Sequence, residues 1–460
     1  MKHKLLLLII AMLIFCGLSV HAESDGYIVK FKTTPPELDT TIFEEIHAAT
    51  GVYAVANKTH LIGLSEYIEY VEENEVVEIA EPLEPISLMS LPDDELYSSQ
   101  WAVQMTNADY AWQHETYGNE IRVAVIDSGC YAHTDLVDNL LTGWNYLDNN
   151  TNTTDNKGHG THVSGIIAAS MNSSGIVGVA PKAKIVPLKC FDSTKNPTYR
   201  NLQDAIYDAV DDYGCKVINM SWGMIKNTTA FQAALDYATE KGVIIVAAVG
   251  NDNNATLYYP AASDNVIGVG GVDMYKKKYS LSQMNSSVFI AAPGNRVYST
   301  YNDNSYVYLS GTSMASPHIA GIAALALSVD DSITPAEFAQ LLAETAEDLG
   351  TEGYDTTFGY GLANVKALVD KLLEDIPYYV SPINTESNES YVLIKNNTKD
   401  ILSAKSFFAG FSEGRFNAFA ENSITVLPDK SIITKTDITN NPSHFLWTSL
   451  KSLTPLANKR

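Results

Sequence analysis

The fold of this chain is decided by the stretch IRVAVIDSG, residues 121–129. Its apolar residues continue almost without interruption up to the aspartate, as is typical of a strand buried on both faces of a parallel sheet. Similar runs recur and alternate with helix-like segments. Strands are predicted at residues 121–127, 184–189, 217–222, 243–250 and 266–272, and helices at residues 160–170, 201–213, 231–240 and 313–327. This alternation predicts an α/β fold, in which a parallel β-sheet is flanked by helices.

Length and composition limit the class of protein. The chain has 460 residues, of which 45% are hydrophobic and 18% charged. These values suit a globular protein of about two to four folded units and exclude a disordered chain. The net charge is −24, from 30 basic and 54 acidic side chains. A polyanion would be repelled by this charge, so no nucleic acid partner is expected.

The first 22 residues have the pattern of a secretory signal peptide. Lys2 and Lys4 precede an apolar run over residues 5–18, and the small residue Ala22 closes the segment. The alternative is a membrane anchor, but the run is shorter than the roughly 20 residues that a span needs. We predict a protein secreted from the cell, free or associated with the cell surface, and without a membrane span after signal removal.

Cysteine usage argues against a disulfide scaffold. Cys16 lies in the predicted signal, which leaves Cys130, Cys190 and Cys215. This is an odd number without metal-ligand spacing, so at most one pair can close within the chain. Buried thiols are the expected state.

Three regions are expected after the signal. Residues 23–90 are strongly acidic and are predicted to form a small α+β unit, with strands at 26–31 and 76–80 and helices at 41–50 and 65–73. Residues 91–371 contain the α/β pattern. Residues 372–460 shift towards Asn, Ser and Thr with scattered aromatics, which predicts a small C-terminal β-rich module, with a partly ordered tail as the alternative. Its role is left open between binding, surface retention and stability.

Three motifs lie where predicted strands end or helices begin. VIDSG (125–129) ends a strand in Asp127, GHGTHV (158–163) places His159 at a helix start, and GTSMASPH (311–318) places Ser313 at the start of an apolar helix. Taken singly, they are a turn aspartate, a weak metal-binding histidine pair and an N-cap serine. Together they supply a nucleophile, a base and a carboxylate to orient the base, which is the set that acyl transfer needs.

These motifs, in this chain order, closely resemble those of the subtilisin-like serine proteases over about residues 94–370. The resemblance implies that Ser313 is the nucleophile, His159 the general acid and base, and Asp127 the group that stabilises the imidazolium. It implies a secreted serine endopeptidase that hydrolyses extended polypeptide through an acyl-enzyme. The alternatives are a catalytically silent binding or surface protein on the same fold, and an esterase with the same triad.

The resemblance also assigns substrate-binding residues. Asn251 matches the side-chain donor to the oxyanion, and Ser221, Trp222 and Gly223 match the strand that pairs with an extended substrate. Trp222 replaces a commoner leucine and either narrows a subsite or belongs to the core. Tyr258 stands where glycine is frequent, in the pocket for the residue before the scissile bond. It is predicted to raise the floor of that pocket and to disfavour long aromatic side chains there.

Bound calcium is a further implication of the resemblance. Asp135 and Asn172 match side-chain ligands of the family's tight calcium site, and Asp94 resembles the N-terminal ligand of thermophilic relatives. Carboxylate, amide and carbonyl oxygens are the donors that this hard cation prefers. The alternative for Asp94 is an ordinary exposed acid. The remaining histidines of the motifs, His162 and His318, are interpreted as structural.

Residues 23–90 resemble the inhibitory propeptides of the same family, which implies a zymogen that processes itself, with cleavage between residues 87 and 93. An accessory domain is the alternative. The partners expected on these grounds are polypeptide substrates and the chain's own propeptide as an intramolecular inhibitor. A monomer is expected.

Overall fold

The computed structural model describes residues 92–374 without a gap, and residues 24–75 and 378–459 with gaps. Its backbone contacts divide the chain into two compact units, Met1–Ser87 and Leu88–Arg460. The predicted signal and the predicted strand at residues 76–80 lie outside the described residues.

In the first unit the described residues form an antiparallel sheet in the order β2-β3-β1-β4. Its strands are β1 (Ser24–Phe31), β2 (Phe43–His47), β3 (Val52–Val55) and β4 (Ile68–Glu75), with one 3-10 turn at Lys58–Leu61. The two predicted helices are therefore wrong, because β2 and β4 occupy their places. Pairing with β3 and β1 overrides the local helical pattern, and Phe43 is buried beside Val29 and Phe31.

The second unit contains a seven-stranded parallel sheet in the order β11-β10-β9-β8-β5-β7-β6, which confirms the predicted fold class. Its strands are β5 (Arg122–Asp127), β6 (Trp144–Asn145), β7 (Lys184–Lys189), β8 (Val217–Met220), β9 (Ile244–Ala248), β10 (Ile267–Val272) and β11 (Ile290–Pro293). An antiparallel hairpin follows, β12 (Val297–Tyr301) and β13 (Ser305–Leu309).

Helices cover the sheet and enclose two apolar cores. They are α1 (Trp101–Met105), α2 (Ala108–Trp112), α3 (His159–Ala168), α4 (Tyr199–Asp211), α5 (Thr229–Glu240), α6 (Thr312–Val329), α7 (Pro335–Thr345) and α8 (Val365–Leu373). Among the described helices, α6 alone is long and apolar enough to cross a membrane, and 89% of it is buried inside the fold. Its apolar character therefore serves the protein core.

Strand order places the predicted catalytic motifs at one edge of the sheet. Strand β8 lies between β5 and β9, and all three run parallel. Their carboxyl ends consequently meet: Asp127 is the last residue of β5, and the segments after β8 and β9 carry Ser221 and Asn251. Helix α6 packs against the same strands and brings Ser313 to this edge.

The C-terminal region is rich in strands, as its composition predicts. Its strands are β14 (Tyr378–Val380), β15 (Asn384–Glu386), β16 (Glu389–Asn396), β17 (Leu402–Ser412), β18 (Arg415–Val426), β19 (Ser431–Thr436), β20 (Ser443–Trp447) and β21 (Ala457–Lys459). Tyr379 and Leu393 of this region belong to the larger apolar core of the second unit. The Tyr379 hydroxyl lies 2.7 Å from Thr116 Oγ1 and donates to the His114 carbonyl oxygen at 3.2 Å.

Candidate active site

Asp127 is the last residue of β5 and is only 3% exposed. Its Oδ1 atom accepts the Ser128 N–H at 2.7 Å and the His159 Nδ1–H at 2.8 Å. Its Oδ2 atom has no hydrogen-bond partner within the described part of the chain. The carboxylate is thus fixed and directed at the imidazole.

His159 is the first residue of α3. The turn before it is shaped by the buried Asp155, whose carboxylate accepts the N–H groups of Lys157, Gly158 and Thr161, each at 2.9 Å. The residue after it must be glycine, because a Cβ atom on Gly160 would lie 2.1 Å from the Gly129 carbonyl oxygen. This close approach brings the imidazole to the end of β5.

The environment of His159 favours a basic imidazole. Burial lowers its pKa, but the negative charge of Asp127 and the hydrogen bond to it raise the pKa by more, so the net shift is upward from 6.5. Because Nδ1 donates to Asp127, Nε2 carries the lone pair in the neutral ring. The side chain remains 32% exposed and lines a cavity.

Ser313 is the second residue of α6. Two hydrogen bonds join it to Ser221 in the loop after β8, one donated by each residue. Its Oγ donates to the Ser221 carbonyl oxygen at 2.9 Å, and its own carbonyl oxygen accepts the Ser221 Oγ–H at 2.9 Å. That carbonyl is free because Pro317, four residues later, has no N–H to offer it. The Ser313 hydroxyl must turn from Ser221 to reach His159, and catalytic hydrogen bonds commonly tighten only with substrate.

A cavity of about 290 Å³ lies beside Asp127 and His159. Asp127, His159, Ser221 and Trp222 line it, and Ser221 holds Ser313. Asp127 and His159 are therefore in direct contact at this opening, whereas the Ser313 hydroxyl is hydrogen-bonded to Ser221 and, within the described residues, has no hydrogen bond to His159.

Asn251 follows β9, and its side chain is oriented by a residue that the sequence reading did not assign. The Thr312 N–H donates to Asn251 Oδ1 at 2.8 Å, and Thr312 Oγ1 accepts the Gly250 N–H at 3.1 Å. With Oδ1 engaged, the Nδ2 amide remains available as a donor. The position of Thr312 directly before Ser313 at a helix start is the signal that points to it.

The loop after β8 forms a wall rather than a longer strand. The strand predicted over residues 217–222 ends at Met220 in the structure. The backbone N–H and C=O groups of Trp222 and Gly223 have no hydrogen-bond partner within the described residues. The Trp222 indole N–H donates to the Ile126 carbonyl oxygen at 2.7 Å. Its ring lines both the catalytic cavity and a second cavity of about 240 Å³. Trp222 thus separates two cavities and is hydrogen-bonded to β5.

Tyr258 lies between the glycines of the two neighbouring loops. A Cβ atom on Gly223 would lie 3.1 Å from Tyr258 Cβ, and one on Gly250 would lie 2.7 Å from Tyr258 Cδ2. The Tyr258 hydroxyl donates to the Asp252 carboxylate. The phenol ring therefore fills the space between Gly223 and Gly250.

The three predicted metal ligands lie together. Asp94 Oδ1 accepts the Asn172 N–H at 3.1 Å, and Asn172 Nδ2 approaches Asp135 Oδ1 at 3.4 Å. Asp94 and Asp135 are buried, and Asp94 Oδ2 lacks a partner among the described residues. Burial raises the pKa of Asp94, and burial together with the charge of Asp94 raises that of Asp135 to about 6. The described chain brings no three His, Cys, Asp or Glu side chains together in a metal-binding group.

The two histidines interpreted as structural lie inside the protein. His162 and His318 are fully buried, and burial lowers their pKa values to about 3 and about 4, so both rings are neutral. Cys130, Cys190 and Cys215 are buried free thiols.

Lys189 is a buried cation beside the triad that sequence reading missed. It is 3% exposed, and its Nζ donates to the carbonyl oxygens of Ser128 at 2.8 Å and Thr154 at 3.1 Å. Lys189 therefore links the residue after Asp127 to the residue before Asp155. Its position at the end of β7, in register with Asp127, is evident only from the strand order.

Comparison with known proteins agrees with this geometry. Residues 118–361 match the subtilase family of peptidases. A thermophilic serine proteinase of Bacillus sp. (strain AK1) is 40% identical over 276 residues, 59% of this chain and 68% of that protein. Subtilisin DY of Bacillus licheniformis is 39% identical over 272 residues, 58% of this chain and 97% of that one.

Two further relatives extend the comparison. Thermitase of Thermoactinomyces vulgaris is 40% identical over 240 residues, 52% of this chain and 85% of that protein. A solved protease structure from Pseudoalteromonas arctica superposes with a TM-score of 0.57 at 29% identity, over 62% of this chain and all of the other. The chain belongs to the subtilase family and is a subtilisin-like serine endopeptidase.

Proposed function

We propose that the chain is a secreted, calcium-stabilised endopeptidase made as a self-processing zymogen, with Ser313 as nucleophile, His159 as base and Asp127 as its orienting carboxylate. One observation carries the assignment of roles. The Asp127–His159 hydrogen bond of 2.8 Å lies in a cavity whose wall, Ser221, holds the Ser313 hydroxyl.

The reaction follows from these positions. His159 Nε2 takes the Ser313 proton as Oγ attacks the substrate carbonyl carbon, and the imidazolium is stabilised by Asp127. The carbonyl oxygen becomes an oxyanion that accepts hydrogen bonds from Asn251 Nδ2 and from the Ser313 N–H at the start of α6. His159 then returns the proton to the leaving amine, and water repeats the sequence to release the acyl group.

Extended polypeptide is the proposed substrate class. The unpartnered backbone groups of Trp222 and Gly223 offer an edge to which a peptide strand can add. Cavities on both sides of Trp222 would receive side chains on the acyl side of the scissile bond.

The first experiment on this proposal is a peptide library cleaved by the wild-type protein and by Tyr258→Gly. Wild-type protein should cleave within extended peptides and prefer small side chains before the scissile bond, because the Tyr258 ring occupies that space. Tyr258→Gly should raise kcat/KM for phenylalanine relative to alanine at this position by roughly 10–100-fold, the range typical of apolar pockets.

Tyr258→Phe is the matched control for this library. It keeps the ring and loses only the hydrogen bond to Asp252, so the preference for small side chains should persist. A strong wild-type preference for phenylalanine or tyrosine would contradict the role of Tyr258. Absence of any cleavage would favour the silent binding protein instead.

We further propose that Asp94, Asp135 and Asn172 hold a calcium ion. Two buried carboxylates with raised pKa values, one with an unpartnered oxygen, repel each other unless a cation or a proton joins them. Gly175 lets the loop after α3 approach Asp135 closely, since a Cβ atom there would lie 2.5 Å from Asp135 Oδ2. When bound, calcium supplies a structural crosslink between the segment before α1 and the loop after α3.

Calcium removal is expected to lower the melting temperature by about 5–10 °C. This corresponds to about 2.7 kcal/mol for an ion present at a hundredfold excess over its Kd. Thermal unfolding with and without a chelator measures the shift. Asp135→Asn should lose the dependence on calcium, whereas the exposed Asp138→Asn should keep it. An unchanged melting temperature on chelation of wild-type protein would contradict the site.

Two observations support the zymogen proposal: the N-terminal sequence, and its division from the rest of the chain as a compact unit. Residues 23–90 match the pattern of inhibitory propeptides, and the described part of this segment forms its own sheet and core. The compact units divide after Ser87, within the predicted cleavage region. Secretion rests on the signal pattern of residues 1–22.

A further inference from the structure

Lys278 lies outside the triad, in the loop that follows β10, and its ammonium is enclosed by four oxygen atoms. Nζ is 2.8 Å from Asn253 Oδ1, 3.2 Å from the carbonyl oxygens of Tyr279 and Ser280, and 3.1 Å from that of Ser282. Burial lowers the pKa of this lysine. We call these four oxygens and the ammonium the lysine nest.

The nest joins two loops, one of which carries Asn251. Asn253 lies two residues after Asn251, and its N–H donates to the Leu281 carbonyl oxygen at 2.9 Å. The fully buried Gln283 reinforces the junction, because its Oε1 accepts the N–H groups of Asp252 at 3.1 Å and Asn254 at 3.0 Å. The segment after Asn251 is therefore attached to residues 278–283 at several points.

The positive charge of the Lys278 ammonium holds the four oxygen atoms of the lysine nest together. Three backbone carbonyls and one amide oxygen that converge on one point repel each other, and a single positive charge with three N–H donors removes that repulsion. Without the charge, the loops would separate or admit a solvent cation. Asn253 is held at a φ of +52°, so this end of the segment is already in a restricted conformation.

We propose that Lys278 is a positioning residue for catalysis, an internal cation that fixes the segment after Asn251 and so keeps the Asn251 amide in place for the oxyanion. This rests on the role proposed above for Asn251. Lys278 does not touch the reacting atoms, and its effect passes through the backbone of residues 251–254.

The test compares kcat and KM of Lys278→Met, Asn251→Ala and the double variant on one extended peptide amide. Lys278→Met should lower kcat about tenfold with little change in KM, less than the 10²–10³-fold that loss of an oxyanion donor costs. In the Asn251→Ala background, Lys278→Met should cost less than about twofold, because the group it positions is already gone. Ammonium chloride should restore kcat of Lys278→Met, and tetramethylammonium chloride at equal ionic strength should not.

Lys277→Met is the matched control, since it removes the same charge from the adjacent exposed residue and should leave kcat unchanged. Losses that multiply in the double variant, or a kcat of Lys278→Met that ammonium does not raise, would overturn the proposal. An Asn251→Ala variant with wild-type kcat would instead refute the oxyanion role itself. If Lys278→Met does not fold, Asn253→Gly removes the one side-chain oxygen of the nest at a φ that glycine accepts and should lower kcat in the same way.

Discussion

Replacing Ser313 with alanine is expected to lower peptide hydrolysis about 10⁶-fold, the size of loss found when a subtilisin loses its nucleophile. The Ser221 hydroxyl is not expected to take its place, because Ser221 Oγ donates to the Ser313 carbonyl oxygen. The residual rate should come from oxyanion stabilisation and binding alone. Hydrolysis of an extended peptide amide by the purified variant measures the loss.

The same variant tests self-processing. Purified Ser313→Ala protein should retain residues 23–90, whereas wild-type protein should lose them during secretion. Ser310→Ala, a change at an exposed serine of the same segment, should mature normally. Maturation of Ser313→Ala in the absence of any other protease would refute self-processing, and full activity of the variant would refute the nucleophile.

Asp127→Asn is expected to lower kcat about 10⁴-fold without disturbing the fold. The asparagine amide can present its NH₂ group to His159 Nδ1, which would leave the proton on Nε2, the nitrogen that must accept the Ser313 proton. Kinetics on the same peptide amide, with circular dichroism as a check on folding, measure the effect. A loss below about tenfold would mean that Asp127 is not the orienting carboxylate.

The pH profile gives this prediction a second readout. Activity needs neutral His159, so kcat/KM should rise with pH through the pKa of His159, which lies above 6.5 in the wild-type protein. Asp127→Asn removes the charge that raises this pKa, so the acid limb should move to lower pH. Lys157→Gln is the control of opposite sign, because the Lys157 charge lowers the pKa of His159 and its removal should move the limb upward.

The parallel sheet and the contact between Asp127 and His159 could be predicted because the motifs that indicate them are short segments of sequence. The five predicted strands coincide with β5 and β7–β10 to within two residues at each end, since strands buried on both faces need continuous apolar runs. The hydrogen bond between Asp127 and His159 could be anticipated from the resemblance of the motifs to those of the subtilisin-like serine proteases. In the segment 125–129, for example, the same few residues indicate the end of a strand and supply Asp127.

What failed or was missed depends on contacts between distant segments. Phe43 and Ile68 lie in stretches with helical spacing, yet both stretches form strands. The strand that contains Phe43 pairs with β3, and the strand that contains Ile68 pairs with β1. Lys189 and Lys278 look like ordinary surface lysines in the sequence. Only the fold gathers the carbonyl oxygens that surround their ammonium groups.

The place of Tyr379 in the core bears on the order in which the enzyme is completed. Its buried hydroxyl binds Thr116 and His114, close to the N-terminal edge of the catalytic region, although Tyr379 itself follows every residue of the triad in the chain. The apolar core of the second unit can therefore close around Tyr379 only after residue 379 has been synthesised. A chain released early would lack this closure, and incomplete molecules would expose their apolar core to degradation before they could act as proteases.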